Sequence, residues 1–334
     1  MPIRRGVVLV VVLALVAAAC GDRGDDPSAA SGGGGEGPAT SAGSAAPSGD
    51  FGTLEGVCGP NEGGGSVPQG DDAETLGASD DTINVGTVSD PGFEGRPGLN
   101  IELHDSATAF VEWCNEAGGI NGKQIELTLY DAAINSYQPE VEAACGNEFA
   151  LVGSGAVQDN LWPTVGATCD LIDVAGFSVT PEKAGQAGQD PTQTRTVQPV
   201  PNPFDQFPGA SNLILLEDFS GSGDRSGIIN ADLATLIVQA ETQTEAEEAL
   251  GQTIVHTDFY NILGQANWTT ISRSIRDSEV SFLSFVGAGE TLALLQPALQ
   301  EVGYSPEVTM QEANFYDQAY VDAAGEAAEG TYVR

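Results

Sequence analysis

Residues 116–131 read Glu116-Ala117-Gly118-Gly119-Ile120-Asn121-Gly122-Lys123-Gln124-Ile125-Glu126-Leu127-Thr128-Leu129-Tyr130-Asp131. The paired glycines end a helix, because glycine accepts the left-handed C-terminal conformation without strain. Asn121-Gly122 is a strong turn signal, and Ile125 to Tyr130 follows it as a strand. Upstream, Leu103, Ala107, Phe110, Val111 and Cys114 recur at steps of three and four, the apolar face of a helix. Ile83-Asn84-Val85-Gly86-Thr87-Val88 precedes them as a first strand. Strand, helix and strand in this order predict a parallel sheet covered on both faces.

The rhythm continues with a helix to about Cys145, a strand at Leu151-Val152, a helix through Val165 and a strand near Ile172 to Ala175. Gln193 to Pro208 interrupts it with prolines at 199, 201, 203 and 208, and the crossing between lobes is placed there. A second series starts at Gly227-Ile228-Ile229, with a long helix to Leu250 and a strand from Thr253 to His256. A helix around Ile271, a strand at 281–285, a helix from Thr291 to Val302, a strand from Val308 to Gln311 and a helix to Ala324 follow. The fold class is α/β: two doubly wound parallel-sheet lobes joined by a hinge.

The chain carries 48 Asp and Glu against 11 Lys and Arg, a net charge of -37, yet 41% of its residues are hydrophobic, enough to bury a core. This argues against DNA or RNA as a partner, since phosphate recognition needs clustered cations. It also argues against adhesion to an anionic membrane through a basic face. Arg4 and Arg5 precede an apolar run from Val7 to Ala19. That run is short of the roughly 20 residues a spanning helix needs. Residues 1–19 therefore read as a secretory signal peptide. The junction Ala17-Ala18-Ala19-Cys20 resembles a bacterial lipobox, whose acylated cysteine would hold the chain on the outer face of the cell membrane. Residues 20–75 are expected to be a Gly/Ser/Asp-rich tether and a disulfide-stapled extension, 76–205 the first lobe, and 206–334 the second.

Beyond Cys20, the four cysteines Cys58, Cys114, Cys145 and Cys169 allow three disulfide connectivities in an exported chain. Cys145 and Cys169, each near a predicted helix end, are the preferred pair. Cys58 is then left to staple the extension to Cys114 on the first helix. No CxxC occurs, and His104 and His256 are the only histidines, so disulfides are preferred to a metal site. No cofactor is implied.

The segment Glu116 to Lys123, followed by a strand and Asp131, resembles the leucine/isoleucine/valine-binding-protein family, the type I periplasmic binding receptors of ABC importers. Cys145, Leu151-Val152-Gly153-Ser154, Thr180-Pro181-Glu182, Asn267-Trp268-Thr269 and Ala324-Gly325-Glu326-Ala327-Ala328-Glu329-Gly330 match in order. The Cys145–Cys169 pairing is similar to a disulfide of that family. The resemblance implies that the chain returns to the first lobe after the Ala324–Gly330 segment. Thr331-Tyr332-Val333 is thus expected to begin that return, and the first lobe to lack part of its sheet.

In open α/β sheets, ligands bind beyond the carboxyl ends of strands, where helix N-termini present unpaired N–H groups. Gly153, Ser154, Gly155 and Ala156 follow a strand and precede a predicted helix, so they are candidates to hold a carboxylate. Phe177, Ser178, Val179 and Thr180 follow the next strand toward the same cleft. Glu312, Asn314 and Tyr316 are candidates for the opposing wall, with Asn230 and Gly287 behind them. The family's amino-acid receptors tend to carry a threonine hydroxyl at the position aligned with Val179 and small residues where Phe177 stands. This departure points toward a less polar solute, an amide or a short peptide.

The leading expectation is a monomeric, lipid-anchored solute receptor that closes around a small molecule and delivers it to an ABC permease. The alternatives are a ligand sensor without a transport role and a non-functional truncated copy. An enzyme ranks last, because neither a G-x-S-x-G elbow nor a P-loop is present.

Overall fold

The turn that opened the reading forms as its residues require. Asn121 and Gly122 take φ of 51° and 81°, and Ile120 bridges Lys123 across them. A Cβ on Gly119 would lie 2.0 Å from the Lys123 carbonyl oxygen, so only glycine lets the helix end so close to the next strand. The computed structural model describes residues 48–60, 76–185, 194–199, 207–265, 267–312, 316 and 318–333. Cys20, its leader and tether, and Asn314 lie outside the described residues.

The first lobe runs β1 (Thr82–Ser89), α1 (Ile101–Glu116), β2 (Gln124–Asp131), α2 (Tyr137–Asn147), β3 (Ala150–Val152), β4 (Asp173–Val174), α3 (Pro181–Ala184) and β5 (Thr196–Val197). The second runs α4 (Ala210–Asp218), β6 (Ser226–Ala231), α5 (Ala234–Ala249), β7 (Ile254–Tyr260), α6 (Trp268–Asp277) and β8 (Phe282–Val286). It ends with α7 (Gly289–Glu301), β9 (Val308–Gln311), α8 (Gln318–Ala324) and β10 (Thr331–Val333). The sheets are ordered β2-β1-β3-β4-β5 and β7-β6-β8-β9-β10, with every pairing parallel. Both lobes thus repeat one topology, with the strand order reversing beside β1 in the first and beside β6 in the second.

Apolar clusters pack against both sheets. In the first lobe, Val88, Tyr130, Tyr137, Val141, Leu151 and Trp162 form one cluster, and Cys58, Cys114 and Ile125 another. In the second, Ile229, Tyr260, Phe285, Ile275 and Leu292 pack beneath α6 to α8, while Leu215 of α4 meets Phe282, Val308 and Met310. The disulfides join Cys58 to Cys114 and Cys145 to Cys169.

Four details depart from the sequence reading. The helix expected through Val165 is two short 3-10 pieces, Asp159–Thr164 and Gly166–Cys169. Pro163, which offers no N–H, lies in the first. Within the proline-rich crossing, Thr196–Val197 is still the edge strand of the first sheet. The helix α4 was not anticipated. Thr331–Val333 does not start a return to the first lobe, because it pairs in parallel with β9 as the edge of the second sheet. On one face of the first sheet Leu129, Val152 and Val197 remain exposed.

Candidate functional site

A cleft of about 650 Å³ lies between the lobes, within the range of small-molecule sites. Its first wall comes from four connections that follow strand ends. Phe93, Arg96, Leu99 and Asn100 follow β1, Ile134 follows β2, Val157 follows β3, and Phe177 and Val179 follow β4. The facing wall repeats the pattern: Leu236 and Gln239 stand on α5 after β6, Ile262 follows β7, Gly287 and Ala288 follow β8, and Glu312 follows β9. In each lobe the connections flanking the switch in strand order contribute, which is where open α/β sheets bind ligands.

The lining is mostly apolar and charged at few points. Arg96 is its cation, and Arg96 Nε reaches Glu290 Oε1 of the opposite lobe at 3.6 Å. Glu312 is the carboxylate on the lining itself. Among the described residues, no Ser, Thr, Cys, His or Lys lines the cleft.

The first wall is held from behind by buried carboxylates. Asp90, fully buried, accepts the Ile134 N–H on Oδ1 and the Val157 N–H on Oδ2, each at 2.7 Å. Burial pushes its carboxyl above the ordinary value although both N–H groups oppose the shift. Asp159 accepts the Val179 N–H at 2.6 Å and the Thr180 hydroxyl at 2.7 Å, and burial raises it to about 7. Ile134 holds φ of 62° and Asn100 φ of 56°. Positive φ is a marked outlier for a β-branched residue, and such strain concentrates at functional sites.

The sequence profile of the periplasmic binding protein family matches residues 99–334. The chain belongs to the periplasmic binding protein family. Within it, the chain stands with the leucine/isoleucine/valine-binding-like proteins that the sequence resembled. A type 1 periplasmic binding protein from Bordetella pertussis is similar at 20% identity and TM-score 0.62, covering 76% of this chain and 68% of that one. An extracellular ligand-binding receptor from Rhodopseudomonas palustris is 17% identical with TM-score 0.60, covering 76% and 67%. A leucine-binding protein from Thermotoga maritima is 14% identical with TM-score 0.58, covering 75% and 69%. No curated protein matches the chain.

In this member of the family, the structure brings Phe177, Val179, Gly287 and Glu312 to the cleft from the residues singled out in the sequence. It does not bring Gly153, Ser154, Gly155 or Ala156 there. The Phe177 ring lies so close over Gly155 that a Cβ on that glycine would meet it at 2.3 Å. Behind the ring, Ser154 Oγ accepts the Val88 N–H at 3.2 Å, and the Gly155 N–H is spent on the Val88 carbonyl. The Gly155 N–H as donor and the Ser154 oxygen as acceptor thus tie β3 to β1, and the element that follows is a short 3-10 helix rather than an α-helix. Thr180 caps α3 through the Lys183 N–H and bonds Asp159, and Ser178 is buried away from the lining. Asn230 is fully buried at the end of β6, and its carboxamide finds no hydrogen-bond partner among the described residues. Tyr316 is 90% exposed and off the lining.

Most of the first wall escaped sequence reasoning. The signal that could have found it is the Gly- and Pro-rich run from Asp90 to Asn100, which directly follows β1 at the switch in strand order.

Proposed function

We propose that this chain is the extracytoplasmic solute receptor of an ABC importer, held to the membrane through an acylated Cys20, and that it binds a small solute between its lobes. The observation carrying this reading is the cleft of about 650 Å³ whose two walls both rise from the carboxyl ends of the parallel strands. An amino acid, an amide, a short peptide or a similar solute with an apolar body suits its lining, on which Arg96 and Glu312 are the charged side chains. The chain acts as a monomer without a cofactor, by lobe closure around the solute, and the loaded form is handed to a permease. No chemical step is needed.

The test is a thermal-shift screen of the purified chain, both disulfides closed, against amino acids, amides, short peptides and aromatic acids. A true ligand at 100 times its Kd adds about 2.7 kcal/mol, a Tm rise of about 5–10 °C. Flat melting across all four classes would refute the assignment.

A further inference from the structure

The first wall is built from loops of different connections, and Asp90 joins two of them. Its position at the end of β1 places one carboxylate oxygen against the Ile134 N–H, after β2, and the other against the Val157 N–H, after β3. Ile134 is the residue least able to hold its conformation unaided, since it is β-branched at φ 62° and follows Ala133 at φ 42°. Conformations of this kind are strained and persist only when the surroundings enforce them. Here Asp90 enforces one, while Asp131 Oδ1 holds the neighbouring Ala133 and Gly92 N–H groups, each at 3.0 Å.

We propose that Asp90 is the positioning residue of the cleft: its ionised carboxylate clamps the Ile134 and Val157 loops into the first wall, and the wall keeps its shape only while both N–H groups are accepted. This rests on the cleft being the solute site. The chemistry separates Asp90 from Asp159. Both partners of Asp90 are backbone N–H groups, which can only donate. An amide at this position therefore sets an N–H donor against one of them, and a proton turns one of the two accepting oxygens into a hydroxyl that accepts far more weakly. Asp159 serves one N–H and one hydroxyl, and the hydroxyl can reverse its role.

Acid acts on this clamp with a definite sign. The two N–H groups hold the Asp90 pKa down against burial. Losing one while the carboxyl stays buried raises it further, so proton uptake and loop release favour each other. The charged and titratable groups facing Asp90 are Asp131 from β2, which opposes ionisation, His104 from α1, which favours it, and the Tyr137 phenol from α2.

The experiment is residue-level amide exchange on the full oxidised chain without ligand. It is read as protection factors from about pH 7 to about pH 4, with Ile228 and Leu283 of the other lobe reporting global unfolding. In the native chain the Ile134 or the Val157 amide is expected to lose about ten-fold protection or more on acidification while the reporters hold. Asp90→Asn is expected to show the same loss already at neutral pH, with a flat profile below it. Equal protection of both amides in Asp90→Asn and the native chain would overturn the proposal, as would a native profile that stays flat. If Asp90→Asn does not fold, the native profile alone decides. Because no solute is present, the clamp can fail while the solute screen succeeds, or the reverse, and the two outcomes are distinguishable.

Discussion

Gly287→Ala tests whether the second wall is as tightly determined as its geometry implies. Gly287 lines the cleft at φ 152°, and a Cβ there would fall 1.7 Å from the Tyr260 hydroxyl oxygen and 2.9 Å from its Cζ. Tyr260 cannot step aside cheaply. It is fully buried, stacked on Phe285 at 5.3 Å and tilted against Trp268 at 5.4 Å. The backbone strain costs about 1–3 kcal/mol, and forcing an extra carbon into a packed core about 1–3 kcal/mol more. The expected loss is therefore about 2–6 kcal/mol, measured by urea unfolding of the oxidised chain. Gly303→Ala supplies the control, because its φ is 72° with nothing within 4 Å of the added carbon. It should cost only the backbone part, about 1–2 kcal/mol. Adding Tyr260→Phe to Gly287→Ala removes the nearest atom and should recover about 1–2 kcal/mol of the overpacking part. The steric reasoning fails if Gly287→Ala costs no more than Gly303→Ala, or if Tyr260→Phe restores nothing.

Two further outcomes follow from the disulfides and from Asp159. Replacing Cys58 and Cys114 by Ala opens a loop of 56 residues and should cost about 4 kcal/mol, against about 3.5 kcal/mol for the 24-residue loop of Cys145 and Cys169; denaturant midpoints in that order check it. Asp159 is raised by burial from 3.8 to about 7, so its contribution to folding is fully present below about pH 4 and is lost as pH rises through about 7. Asp159→Asn should flatten that slope, worth roughly 4 kcal/mol, in unfolding free energies measured across the window.

The architecture was legible because parallel sheets impose patterns that sequence displays. The Asn121-Gly122 turn, the glycine-ended α1 and the Asn267 cap, whose side chain accepts the Thr269 N–H at 3.0 Å, act through neighbours a few positions away. Elements whose stability comes from distant contacts were harder to see. Strand β5 is two residues long and exists by pairing with β4. Helix α4 carries exposed Leu213 and Ile214 beside buried Leu215, which blurs its apolar periodicity. The site divided along the same line. That a cleft lies at the strand ends follows from topology alone, whereas Asp90 and Asp159 act on backbone groups 20 to 67 positions away, which no local pattern reveals.

Phe177 then decides what kind of recognition the cleft supports in the proposed receptor. Its ring lies over Gly155, the Gly155 N–H is bonded to the Val88 carbonyl and the Ser154 hydroxyl is turned inward to Val88, so these groups at the end of β3 are engaged within the first lobe. The polar side chains that the proposed receptor would have for anchoring are then Arg96 and Asn100 of the 93–100 segment, beside Phe93 and Leu99, and Glu312 and Gln239 across from it. A charge placed on a long side chain reaches further than a backbone N–H, but it fixes position less tightly. The precision the site needs must then come from the shape of the apolar wall. That is why two buried carboxylates behind Ile134, Val157 and Val179 matter more here than they would in a cleft whose own backbone grips the ligand.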